Sequence, residues 1–292
     1  MTRRYALLLS LSAPAVAQVR TQRVQNHRQP HPTAAPAQDS PVQWNPHPVF
    51  VGAPVLFKSK TYSGPATWLD RRIEFRPDGD AFSALAGVSL NQAPGSYPMI
   101  FGGEKAEVTV TDHAYPSSKI TVPEKFVAPP KEIQAQIDEE VVIKQKVFKS
   151  SAPERLWQGP FVSPANARYT SSFGARRVYN GKTRSVHQGL DYSAAMGTQV
   201  TAANSGRVVI ARAMYFEGGL IVIDHGESIF TLYMHLSEFL IKEGAAVDKG
   251  APIAKSGSSG RVTGPHLHFG VRWQDLYVEP STLLGLWQSE PA

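Results

Sequence analysis

The chain has 292 residues, 42% hydrophobic and 18% charged, which is enough for two domains with a core in each. It contains no cysteine, and this excludes disulfides, thiolate metal ligands and thiol nucleophiles together. The net charge of +6 is not a nucleic-acid footprint: residues 1–40 carry five arginines and one acid, and no basic cluster marks a folded face.

Arg3 and Arg4, the apolar run over 6–12 and Ala15-Val16-Ala17 have the layout of an export signal covering residues 1–17. Its removal predicts a soluble product in the periplasm or at the extracellular wall. No later window reaches the roughly 18 consecutive apolar residues of a membrane span, so no transmembrane segment is expected after signal removal. Residues 18–41 are rich in Gln, Pro, Ala and Arg without periodicity and read as a disordered linker.

Residues 42–128 read as a β-sandwich-like accessory domain. Strands are expected at 49–51, 55–57, 72–75, 87–90, 97–101, 106–111 and 119–122, separated by turn signals such as Asp78-Gly79 and Pro94-Gly95. His47 and His113 stand alone there. Pro129-Pro130 closes this domain, and 129–150 is a helical linker. Its helix, over 131–146, carries an apolar stripe of Ile133, Ile137 and Val141. From 151 to 292 glycine and β-branched residues dominate, with strands expected at 168–173, 189–192, 199–201, 206–211, 220–224, 228–235, 252–255 and 267–272. The fold class is all-β.

Three motifs in this second half carry chemistry. In His187-Gln188-Gly189-Leu190-Asp191, a spacing of four puts imidazole and carboxylate on one face of a strand. Both groups suit zinc, although the pair alone reads first as a surface His–Asp contact. Before Leu236, Phe230, Leu232 and Met234 alternate with Thr231, Tyr233 and His235, so His235 turns away from the apolar side. A glycine-rich loop over 256–264 then enters Pro265-His266-Leu267-His268-Phe269-Gly270. His266 and His268 share one face there, and Leu267 and Phe269 share the other.

Occurring in this order within 82 residues, the motifs resemble those of the lysostaphin/LytM-type zinc metallopeptidases (peptidase family M23 type), which are peptidoglycan endopeptidases. That family is marked by H-x-x-x-D, a middle histidine followed by Leu, and Gly-Pro-His-Leu-His-Phe. Gly206-Arg207-Val208, Asp224-His225-Gly226 and Val278-Glu279-Pro280 agree, and the resemblance covers about 168–284. It implies a zinc metallopeptidase domain over 151–292 with an antiparallel β-core and a groove over a Zn2+ ion. It also implies His187, Asp191 and His268 as metal ligands and His235 and His266 as the catalytic histidines. Of these two, His266 is the expected base and His235 the expected oxyanion partner.

The implied reaction is hydrolysis of peptide cross-links, with the peptidoglycan peptide as partner and no nucleic acid. The oligomeric state does not follow from the sequence. Some relatives have lost metal ligands and regulate amidases, so a non-catalytic wall-binding regulator of other hydrolases is the alternative. A D,D-carboxypeptidase is a further one. In some relatives an upstream Asn blocks the zinc; Asn166 and Asn180 lie upstream here. Arg176, Tyr192 and Tyr233 are candidates to line the groove or to serve structure, and His225 is read as structural.

Overall fold

Short apolar–polar alternations build the first half of the molecule. The structure, a computed structural model, describes residues 40–287; the export-signal reading and almost all of the linker reading fall outside those residues. Eight strands come first: β1 (Gln43–Asn45), β2 (Val49–Phe50), β3 (Pro54–Ser59), β4 (Gly64–Trp68), β5 (Arg71–Asp78), β6 (Ala81–Gly87), β7 (Gly95–Phe101) and β8 (Glu104–Thr111). Their order in the sheet is β1-β3-β6-β5-β4-β7-β8-β2. In β8, Ala106, Val108 and Val110 are buried, and Lys105, Glu107 and Thr109 are exposed, as a half-buried strand requires.

The amino-terminal part of β5 pairs with β4, and its last three residues pair with β6. The strand thereby crosses between two half-sheets. The sheet bends around Val55, Phe57, Trp68, Met99 and Val108, with the Phe57 and Trp68 rings edge-to-face at 5.2 Å. The strand expected at 87–90 lies earlier, at Ala81–Gly87. Its alanines have little β-propensity of their own, and pairing with β3 and β5 overrides it.

The connector contains β9 (Ser117–Ile120), a 3-10 turn at Glu124–Phe126 and helix α1 (Lys131–Phe148). The helix forms where expected but turns a different face inward. Val141 is 41% exposed and Glu140 is buried, while Ile143, Val147 and Phe148 pack on the core. A four-residue repeat advances about 40° beyond one turn at each step, so by Val141 the stripe has left the contact face. Glu140 takes the position and accepts the Tyr215 N–H at 2.9 Å.

The second half supplies β10 (Tyr169–Ser171), β11 (Arg176–Tyr179), β12 (Thr183–Val186), β13 (Leu190–Tyr192), β14 (Gln199–Thr201), β15 (Gly206–Met214), β16 (Gly218–Asp224), β17 (Ile229–Phe239), β18 (Ala246–Val247), β19 (Pro252–Ser256), β20 (Leu267–Trp273), β21 (Leu276–Val278) and helix α2 (Pro280–Gly285). The main path β10-β13-β20-β17-β16-β15-β18 is antiparallel throughout. β19 joins β17 to β14, and β21 pairs with β20.

A separate three-stranded sheet, β12-β11-β9, ties the connector to the β11–β12 hairpin. The sequence reading had no hairpin here. Arg176, Arg177, Lys182 and Arg184 mask its alternation, and its strands pair with each other and with β9 outside the main sheet. The two large sheets share one apolar core. At their junction, a Cβ on Gly87 would lie 2.6 Å from Val278, and Arg155 bridges Ser83 to Glu227. The expected boundary at 129–150 divides the sequence but not this core.

Candidate metal centre and histidine cluster

Three neighbouring strands aim side chains at one point. β13 and β20 run antiparallel with Asp191 directly opposite His268, and cross-strand partners share a face. On the other side of β20, β17 places Met234 opposite His268, and His235 follows it. His187 lies just before β13, where its backbone is pinned to the base of the β11–β12 hairpin by bonds to Gly174 and Ala175. Gly189 is required by close approach: a Cβ there would sit 2.5 Å from His268 Nε2.

His187 Nε2 and His268 Nδ1 lie 3.0 Å and 2.8 Å from Asp191 Oδ1, and 3.0 Å from each other. All three residues are buried. His187 Nδ1 is 2.8 Å from the Ser172 carbonyl, which can only accept, so Nδ1 carries the hydrogen. Burial pushes the His187 pKa down to about 4, against the pull of Asp191, and the ring is neutral at pH 7. Its Nε2 is therefore a lone pair, facing a carboxylate oxygen and a second imidazole nitrogen. Burial opposes ionisation of Asp191, but its contacts with His187 and His268 outweigh this and hold it well below the usual carboxylate range. His187 Nε2, His268 Nδ1 and Asp191 Oδ1 thus converge within 3.0 Å of one another. The three residues form a group that could hold a metal ion.

The His235 and His266 rings lie side by side with centroids 4.7 Å apart. The His235 centroid is 6.1 Å from that of His268, and His266 Nε2 is 3.8 Å from Asp191 Oδ1. Each Nδ1 faces a carbonyl, Ser259 O at 2.9 Å for His235 and Gly264 O at 2.8 Å for His266. Both Nδ1 atoms are thus donors. Burial, then the charges of His266 and His268, pushes the His235 pKa down to about 3.

His235 has φ +65°, a left-handed conformation that costs a non-glycine residue on the order of 1 kcal/mol or more. Register shifts in the pairing of β17 with β16 and β19 flank it, and its N–H bonds to Glu217 O at 2.8 Å. The surrounding structure holds this one ring off the regular strand path and into the cluster.

His187, Asp191, His235, His266 and His268 therefore come together. Other candidates do not join them. Arg176 is exposed, and Tyr192 and Tyr233 are buried in the core, where the Tyr233 hydroxyl accepts the Ala203 N–H at 2.8 Å. Asn166 is exposed, and Asn180 bonds to the backbone of Val122. His225 is buried between Ser205 O and Thr231 Oγ1, both at 2.7 Å. His47 and His113 pack against aromatic rings of the first half. One residue was missed: Arg177 Nη2 lies 2.6 Å from Asp191 Oδ2. It sits 14 residues before its partner and in a different sheet, so no spacing rule selects it.

Residues 185–280 match Peptidase family M23, and that segment contains all five clustered residues. The match covers that segment, about a third of the chain. Among curated relatives, peptidoglycan DD-endopeptidase ShyA of Vibrio cholerae is 42% identical over 103 residues, covering 35% of this chain and 24% of its own. DD-carboxypeptidase/endopeptidase Mpg of Neisseria meningitidis is 39% identical over 113 residues, covering 39% of this chain and 26% of its own. The chain thus spans about a quarter of the length of the curated relatives it matches. A solved structure from Pseudomonas aeruginosa, described as a peptidase M23, is 22% identical and superposes with a TM-score of 0.62. It covers 82% of this chain and 96% of its own. At that identity the likeness speaks for the fold, which is all-β with few helices.

Proposed function

We propose that this protein is a zinc-dependent endopeptidase that hydrolyses peptide cross-links of bacterial peptidoglycan outside the cytoplasm. The observation that carries the reading is the buried convergence of two imidazole nitrogens and one carboxylate oxygen at 2.8–3.0 Å, with two more histidines beside them. Two nitrogens and an oxygen without sulfur suit zinc, and His187, Asp191 and His268 are the residues that would hold it. When bound, the ion supplies Lewis-acid activation of the amide carbonyl and of water. The substrate class rests on the printed names of the relatives.

The chain's own residues then divide the proton work. His266 is the half-buried ring, closer to solvent than His235. A positive charge is easier to carry there, so His266 takes the proton and delivers it to the leaving amine. His235 is held neutral and offers only an acceptor at Nε2, so it orients the attacking water. The oxyanion role expected for His235 needs an Nε2–H, and the bond to Ser259 O places the hydrogen on the other nitrogen.

Purified sacculi digested with the metal-loaded protein, followed by mass spectrometry of the muropeptides, test the proposal. Cross-linked dimers should convert to monomers, and chelator should stop the conversion. A folded, zinc-loaded sample that leaves dimers intact would refute it. The name of the Neisseria relative favours one second reading, a carboxypeptidase; release of single terminal residues from uncross-linked stems identifies that activity in the same digest. The retained cluster speaks against the purely regulatory alternative.

A further inference from the structure

Asp191 has two oxygens, and the structure gives them different partners. Oδ1 faces His187 and His268 at 3.0 and 2.8 Å, and Oδ2 accepts from Arg177 Nη2 at 2.6 Å. The same nitrogen donates to Ser171 Oγ at 2.8 Å, and that hydroxyl lies 3.5 Å from His187 Nδ1. The Arg177 and Asp191 side chains are only 13% and 10% exposed, so the ion pair is little screened by water.

Arg177 occupies the middle strand of the small sheet. In register it lies opposite Ser185 on β12 and Ser118 on β9, and the base of its hairpin is bonded to the backbone of His187. Its height above Asp191 is therefore fixed from both sides, and partly by the connector. From these contacts we infer that Arg177 is a positioning residue for the metal centre. It occupies Asp191 Oδ2 so that the carboxylate presents Oδ1 alone, and through Ser171 it braces the second ligand, His187.

Without the guanidinium, Oδ2 is a buried acceptor with no donor. The carboxylate can then rotate to offer both oxygens, and that change alters the donor set. A shared ligand-bracing contact of this kind is worth about 10–100-fold in metal affinity. The inference rests on the metal-site reading above, and its test separates the two.

Cobalt(II), added to the whole protein as the probe, is followed by competition with a chromophoric chelator and by its visible absorption bands. Arg177→Met and Arg177→Gln should bind cobalt about 10–100-fold more weakly than the parent. Their bands should also change in intensity, as expected when a carboxylate goes from one donor oxygen to two. Arg177→Lys should recover part of the affinity. A merely structural ion pair would lower the melting temperature of the metal-free protein and leave affinity and spectrum unchanged. Either neutral variant, folded by near-ultraviolet circular dichroism and binding cobalt like the parent, overturns the assignment. Should one of them fail to fold, the other decides. A parent that takes up no cobalt refutes the metal reading itself, and this inference falls with it.

Discussion

The two sheets use the same alternation yet bury different things. In the first, the inward positions are Val55, Phe57, Trp68, Met99 and Val108, and its buried polar residues are Ser59 and Ser83. In the second, His187, Asp191, Asp224, His225, Thr231, His235 and His268 are all buried. These polar groups fall into two kinds. His225 is satisfied by Ser205 O and Thr231 Oγ1, and Thr231 in turn meets the Tyr233 hydroxyl at 3.0 Å. His187, Asp191 and His268 turn two ring nitrogens and a carboxylate oxygen toward one another at 2.8–3.0 Å. The first is a closed network of scaffold; the second is a group that could hold a metal ion.

The strongest way to break this comparison is His268→Ala. Zinc uptake and hydrolysis should both disappear, while the metal-free protein should still fold and unfold cooperatively. Inductively coupled plasma analysis and calorimetry check the two halves separately. Next in size, His266→Ala should keep zinc and lose about 10²–10⁴-fold in kcat. A variant that keeps the parental kcat would move the base elsewhere.

The opposite behaviour is expected in the first sheet. Phe57→Ala should lower unfolding free energy by about 3–5 kcal/mol, measured by urea titration, while kcat per folded molecule stays at the parental value. A fall in kcat would show that the first sheet shapes the centre directly.

Smallest is the effect of His225. Burial, partly offset by its bond to Ser205, lowers its pKa from the ordinary 6.5 to about 4. The unfolded chain then binds a proton that the native state refuses. The contribution is whole above pH 6.5 and is lost as pH falls toward 4, amounting to about 3 kcal/mol. His225→Gln should therefore show a flatter stability curve between those limits. An unchanged slope would mean that acid sensitivity comes wholly from the histidine cluster.

Much of the site was legible before folding because strand geometry is local. The two-residue spacing of His266 and His268 assigns a face whatever the rest of the chain does. His187, by contrast, lies between β12 and β13, and the turn of the chain there, not a strand face, brings it to Asp191. The helix face was legible only in part, since a four-residue repeat drifts and Glu140 displaced Val141. The β11–β12 hairpin was hidden because charged residues masked its period.

The sequence by itself singled out the five residues that come together, and it showed that no thiolate takes part. Tertiary structure alone decided the protonation pattern and the supports. The carbonyls that fix the His187 and His235 tautomers lie 15 and 24 residues away in the chain, and two of the converging atoms belong to residues 81 apart. The left-handed turn at His235 and the grip of Arg177 on Asp191 arise the same way. Period and residue type are properties of neighbours along the chain, but the direction of a lone pair depends on whichever distant backbone oxygen packs against the ring.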